Sequence, residues 1–97
     1  MEPKDAAYYA ATLDEVSIQM LLRANTKHWT RTEMSVDHMK HPFTTTRAVA
    51  KNLEGMNLFE CQQGRVGNRF DNLIIRLNER GEFLKKFILA NPQATEG

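Results

Sequence analysis

The sequence predicts one mainly helical domain carrying a single β-hairpin, with elements in the order helix, helix, helix, strand, strand, helix. Three observations lead there. Ninety-seven residues are enough for one hydrophobic core and too few for two. Apolar residues at 41% and charged residues at 26% fit a globular chain with a modest core, and they exclude disorder and collagen-like repeats. Helix caps and apolar residues at three- and four-residue spacing recur up to Gly55. The spacing then falls to two before returning to a helical pattern near the end.

The elements follow in order. Residues 1–12 read as an N-terminal arm or short helix, because Pro3 fits a first helical turn and the stretch from Lys4 to Ala11 is rich in alanine. Thr12-Leu13-Asp14-Glu15 has the form of a capping box, so a helix is expected over 13–24 with Leu13, Val16 and Met20 on one face and Leu21 beside them. A second box, Thr30-Arg31-Thr32-Glu33, predicts a short helix limited by Pro42. Trp29, just ahead of that cap, reads as a hydrophobic staple into the core, with an exposed stacking platform as the alternative.

After Pro42 the run Thr44-Thr45-Thr46 offers the cap of a third helix, on which Val49 and Leu53 stand four apart before Gly55, a natural terminator. Leu58 to Cys61 and Phe70 to Leu77 are β-prone and flank Gly64 to Arg69, the pattern of a hairpin. Leu73, Ile75 and Leu77 alternate and should cover the helices, leaving the tip in solvent. Asn78 can cap a last helix that carries Glu79 and Glu82 early and Lys85 and Lys86 late, the charge order that suits its dipole. Asn91-Pro92 stops it. The core domain is therefore expected over 13–90, with 91–97 as a flexible tail.

Net charge is only +1, yet it is unevenly spread. Residues 1–22 carry one base and four acids, residues 23–53 six bases and two acids, and residues 54–97 six of each. From His38 to Leu53 there is no acid at all, only Lys40, Arg47 and Lys51 with His38 and His41. An anionic partner belongs against that stretch.

This order, with the segments Thr30 to Glu33, Thr44 to Arg47, Leu53-Glu54-Gly55-Met56-Asn57-Leu58 and Leu77-Asn78-Glu79-Arg80-Gly81, resembles MarR-type winged helix-turn-helix regulators from about Thr30 to Phe87. Asn57 stands where the family has a glycine, and asparagine also tolerates a left-handed turn. Asn78 stands for a threonine of equal capping ability. The family's aspartate-arginine pair before the return strand is only approximated by Asn68-Arg69 or Phe70-Asp71. The resemblance implies a winged helix (α-α-α-β-β-α) that binds double-stranded DNA as a homodimeric transcription regulator. The family's long terminal helices, which frame a small-ligand pocket, are clipped here, so a small-molecule effector is not expected.

On this reading a recognition helix over about 45–54 enters the major groove while a wing over 62–70 flanks it. Arg47 and Lys51, four apart on one helical face with Ala48 beside them, are the expected groove contacts, Arg47 reading guanine and Lys51 supplying charge with Lys40. Thr44 and Thr45 suit phosphate contacts near the helix N-terminus. Arg65 and Arg69 are the wing candidates. Tyr8, Tyr9, Phe83, Phe87 and Ile88 are the candidate dimer contacts. The rival is a winged helix used as a protein-interaction module without DNA, which the near-neutral net charge favours.

Other chemistries find less support. Gly64-Arg65-Val66-Gly67 spells the GXXG loop of a KH domain, but strand-like residues flank it on both sides. Cys61 with His28, His38 and His41 lacks the paired spacing of a zinc site, so no metal or other cofactor is expected, and a single cysteine forms no internal disulfide. There is no nucleophile elbow, Walker loop or paired-acid motif, which argues against an enzyme. No apolar run approaches the roughly 18 residues of a membrane span, and the first residues lack a signal-peptide layout, so an intracellular, cytoplasmic protein is expected.

Overall fold

In the computed structural model, which describes residues 1–32, 43–66 and 69–95, four helices accompany a three-stranded antiparallel sheet, with α3 and α4 packed against it. In chain order these are α1 (Pro3–Thr12), α2 (Glu15–Arg23), β1 (Thr30–Arg31), α3 (Phe43–Gly55), β2 (Phe59–Val66), β3 (Arg69–Leu77) and α4 (Glu79–Ala90), followed by a short 3-10 turn at Pro92–Thr95. The strand order is β1-β3-β2. The chain thus forms a small, mainly helical domain. Among the described residues no helix is long and apolar enough to cross a membrane.

Local chemistry explains most of the boundaries. Pro3 opens α1 as expected, and the Glu2 amide donates to Asp5 Oδ2 at 3.4 Å. The expected cap at Thr12 is corrected: Thr12 ends α1, its hydroxyl donating to the Tyr8 carbonyl at 2.8 Å, and α2 starts two residues later under Asp14, whose carboxylate accepts from the Ser17 amide at 2.8 Å. The residues of 1–12 are no loose arm, since Ala6 and Ala10 are fully packed in the core. Of the expected tail, Pro92–Thr95 forms a 3-10 turn that contacts α1 and α4.

The largest difference lies at Thr30. Instead of capping a helix, Thr30 and Arg31 form β1, pairing with Ile75 and Ile74 of β3. β3 already holds β2 on one side, and its other row of backbone donors and acceptors needs a partner, which this β-branched residue and its neighbour supply. Trp29 is therefore not a staple. It lies half-buried with the Arg76 guanidinium 4.6 Å from its ring centroid, while Nε and Nη2 of Arg76 also reach Glu60 Oε2 at 2.9 and 2.8 Å. Of the helix expected between the Thr30 cap and Pro42, the part from residue 33 on, with His38, Lys40 and His41, lies outside the described residues.

α3 begins at Phe43, so Thr44, Thr45 and Thr46 fall within its first turn and do not cap it. Its end is a Schellman arrangement: the Leu58 amide donates to the Leu53 carbonyl at 3.1 Å and the Asn57 amide to the Glu54 carbonyl at 2.9 Å. The left-handed residue is Asn57, with φ 61°, and not Gly55, which is the last helical residue. Asparagine adopts this conformation more readily than other non-glycine residues.

The hairpin is longer than the sequence indicates. β2 and β3 pair from Phe59 opposite Leu77 out to Val66 opposite Arg69, with an irregularity between Gly64 and Val66. Gly64, Arg65 and Val66 are strand residues, which leaves no GXXG loop between helices. Leu73, Ile75 and Leu77 are buried on the helix side, as their alternation predicts. They meet Met20 and Leu21 of α2, Leu53 of α3, Leu58 and Phe59 at the start of β2, and Leu84 and Ile88 of α4 in one core. Each large side chain so buried contributes roughly 1.5–3 kcal/mol.

Two links lock the closing helix. Asn78 caps α4 as expected, its side-chain oxygen accepting from the Gly81 amide at 2.9 Å while its Nδ2 donates to the Asn57 carbonyl at 2.8 Å. Lys85 Nζ donates to the Ala24 carbonyl at 2.6 Å, which joins α4 to the end of α2.

Candidate nucleic-acid interface

The helical period determines what α3 shows to solvent. Thr46, Ala50 and Leu53 recur at four and three residues and are buried, which fixes the inner face. Thr44, Ala48, Lys51 and Asn52 are exposed on the outer side. Thr45 is half-buried on one flank. Arg47 sits about 100° round from Thr46 on the other flank, the one that borders β2.

The seam between α3 and β2 sets the geometry of that flank. Because strand residues alternate, Phe59, Cys61 and Gln63 point to the helix side, opposite Leu77, Ile75 and Leu73 respectively. The Cys61 thiol donates to the Ala50 carbonyl at 3.6 Å. One turn earlier on the helix and two residues further along the strand, Arg47 Nη2 donates to Gln63 Oε1 at 3.2 Å. α3 thus runs along β2 with its N-terminal turn toward the hairpin end. Exposed Thr44, the Arg47 guanidinium and the exposed Gln63 amide lie on this side of the seam.

Charge on this surface is less one-sided than the acid-free run implies. Lys51 Nζ lies 3.8 Å from Glu54 Oε1, both side chains about half exposed. An exposed i,i+3 pair of this kind is worth a few tenths of a kcal/mol, so a phosphate oxygen can displace the carboxylate. The nearby Cys61 thiol is pushed from its ordinary 9.0 up to about 11, by burial first and by the negative charge of Glu54 next, with Lys51 pulling the other way. Burial of this kind favours the protonated thiol and suits a packing role beside the core.

The expected site residues therefore divide. Thr44, Arg47, Ala48 and Lys51 share the exposed side and hairpin-facing flank of α3, whereas Thr45 lies half-buried on the opposite flank. Arg65 and Arg69 belong to β2 and β3 beyond Gln63, and their side chains, like all of Lys40, lie outside the described residues. Glu54 and Gln63 had not been singled out. Glu54 was visible in the spacing, three residues after Lys51, whereas nothing local in sequence brings Gln63 to Arg47, sixteen residues away.

Of the candidate dimer residues, Tyr8 is 66% exposed with its ring 5.9 Å from that of Tyr9, and Phe83 is 38% exposed. Tyr9 and Phe87 are partly covered by the chain's own core. Ile88 is corrected: at 3% exposure it is a core residue and offers no surface. Among the described residues no group of three or more histidine, cysteine or acidic side chains is placed to hold a metal ion.

Compared with protein-family models, curated proteins and solved structures, the chain matches none.

Proposed function

We propose that this protein is a short winged-helix regulator that binds double-stranded DNA in a sequence-dependent way, with α3 in the major groove and the β2–β3 hairpin as its wing. The observation that supports this reading most is the position of α3. Its exposed side carries only small or donor-bearing side chains (Thr44, Ala48, Lys51 and Asn52), and Arg47 stands at its border with the hairpin. Small neighbours allow the helix to approach base edges, arginine reads guanine through paired donors, and threonine hydroxyls suit phosphate oxygens.

The short strand β1 adds weight, since it sits between α2 and α3 and closes the sheet in the order β1-β3-β2 around the hairpin. The reading includes two copies on a pseudo-palindromic site, with Tyr8 and Phe83 as the exposed aromatics that offer them a contact, and work in the cytoplasm.

Selection of bound duplexes from a random pool tests the proposal. An enriched sequence is expected. Arg47→Ala then loses roughly 1–3 kcal/mol on that sequence and relaxes one base position, while Lys51→Ala weakens all duplexes alike. If Arg47→Ala changes neither affinity nor preference, α3 does not read the groove.

A further inference from the structure

We infer that Gln63 is a positioning residue for base recognition: it holds the Arg47 guanidinium in the orientation that reads a base, and so ties the wing to the recognition helix. The inference rests on the DNA-binding reading above. An exposed arginine on a helix samples many rotamers, and freezing it at an interface costs binding energy. Here one of its Nη donors is already engaged by Gln63 Oε1 at 3.2 Å. Arg47 is half-buried where Thr44 and Lys51 are exposed, which is the expected result of lying against the strand.

The placement of Gln63 is built into the fold. It is the outermost of three helix-facing positions, 59, 61 and 63, opposite Leu73. The first of these is in the core, the second bonds Ala50, and the third extends past the core with an exposed amide. The Cys61 contact fixes the register of helix against strand, so the Arg47–Gln63 contact lies one step further along the same seam.

The chemistry also fits. A neutral amide oxygen can orient a guanidinium without neutralising it, whereas a carboxylate would hold it as an ion pair and repel phosphate. Arg47 keeps its remaining N–H donors for a guanine edge.

The test measures discrimination, the ratio of affinities for the selected duplex and for one changed at the base position that Arg47→Ala relaxes. It uses the full chain and its Gln63→Ala, Gln63→Glu and Arg47→Ala forms, with Gln63→Ala also combined with Arg47→Ala. Gln63→Ala should lower discrimination about 2- to 12-fold, the range for leaving one rotamer-rich side chain to be ordered on binding. Affinity for unrelated duplex, whose bases Arg47 does not read, should fall by less than affinity for the selected duplex. In the Arg47→Ala background the same substitution should have no further effect, because the two residues act as one unit.

Gln63→Glu should weaken binding to every duplex through charge. Gln63 is exposed, so unfolding temperatures should match that of the unmodified protein, which separates positioning from folding. Unchanged discrimination in Gln63→Ala, or effects of Gln63 and Arg47 that simply add, overturns the positioning role while leaving the DNA reading intact. Failure of the unmodified protein to bind any duplex overturns the DNA reading and this role together.

Discussion

Gly81→Ala should unfold this protein more easily, although alanine is ordinarily the better helix residue. Gly81 lies in the first turn of α4, where the helix crosses the start of β2. A Cβ built there would run into the Leu58 carbonyl oxygen, with Leu77 Cδ2 at 2.9 Å and the Leu58 carbonyl carbon at 3.2 Å. The leucine side chain can turn aside, but the Leu58 backbone cannot move cheaply. Its amide is bonded to the Leu53 carbonyl at 3.1 Å, its carbonyl accepts from the Asn78 amide at 3.2 Å, and its side chain is fully buried.

Overpacking against a fixed group costs typically 1–3 kcal/mol, and the rigid obstacle puts this site at the upper end, about 3 kcal/mol. The intrinsic preference of a helix for alanine returns at most about 1 kcal/mol. The net loss is then about 2 kcal/mol, or about 8–16 °C in unfolding temperature for a domain of this size. Urea and thermal unfolding followed by circular dichroism measure it. A Gly81→Ala protein as stable as the parent, or more so, would refute the close approach of α4 to Leu58.

Other predictions follow from single contacts. Asn57→Gly should keep stability within about 0.5 kcal/mol, because glycine accepts a φ of 61°, whereas Asn57→Ala should lose about 1–2 kcal/mol in the same unfolding assay. The raised Cys61 pKa makes the unfolded chain release its thiol proton first. Stability from this group is therefore full below pH 9, falls between about pH 9 and pH 11, and is lost above; the difference in unfolding free energy between parent and Cys61→Ala, followed over that range, should shrink. Glu54→Gln removes the carboxylate 3.8 Å from Lys51 and should tighten binding to all duplexes without changing base preference, as read by fluorescence anisotropy.

How legible the fold was depends on how local its causes are. The cap at Asn78, the alternation of Leu73, Ile75 and Leu77, and the left-handed tolerance of Asn57 are written in neighbouring residues, and each is found where the sequence indicates. β1 was missed because two residues carry no alternation and a threonine followed by Glu33 imitates a capping box; only the open edge of β3, distant in sequence, decides between them. The boundary between α1 and α2 shifted by two residues because Thr12 and Asp14 are both competent caps, and the buried Ala10 keeps α1 helical up to Thr12.

For the site, the inner face of α3 was legible through Val49 and Leu53 four residues apart, and Arg47 and Lys51 followed from it. The partners of those cations were not. The acid-free stretch ends one residue before Glu54, and the helix places that carboxylate beside Lys51. Gln63 meets Arg47 only because the hairpin folds back along α3, and a neutral residue leaves no trace in a charge profile. The contact of half-buried Trp29 with Arg76 is likewise distant in sequence.

The central claim, that the outer side of α3 and the adjoining hairpin meet the phosphate backbone and grooves of DNA, is tested most directly by the salt dependence of binding to mixed-sequence duplex. Each phosphate neutralised contributes about 0.9 to the logarithmic slope, so about four contacts would weaken binding roughly 100-fold between about 50 and 200 mM salt. The account predicts a fall of that order, with a slope shallower by about 1 in Lys51→Ala. Affinity independent of salt, or no binding at the lower concentration, would contradict it and assign this surface to a partner other than nucleic acid.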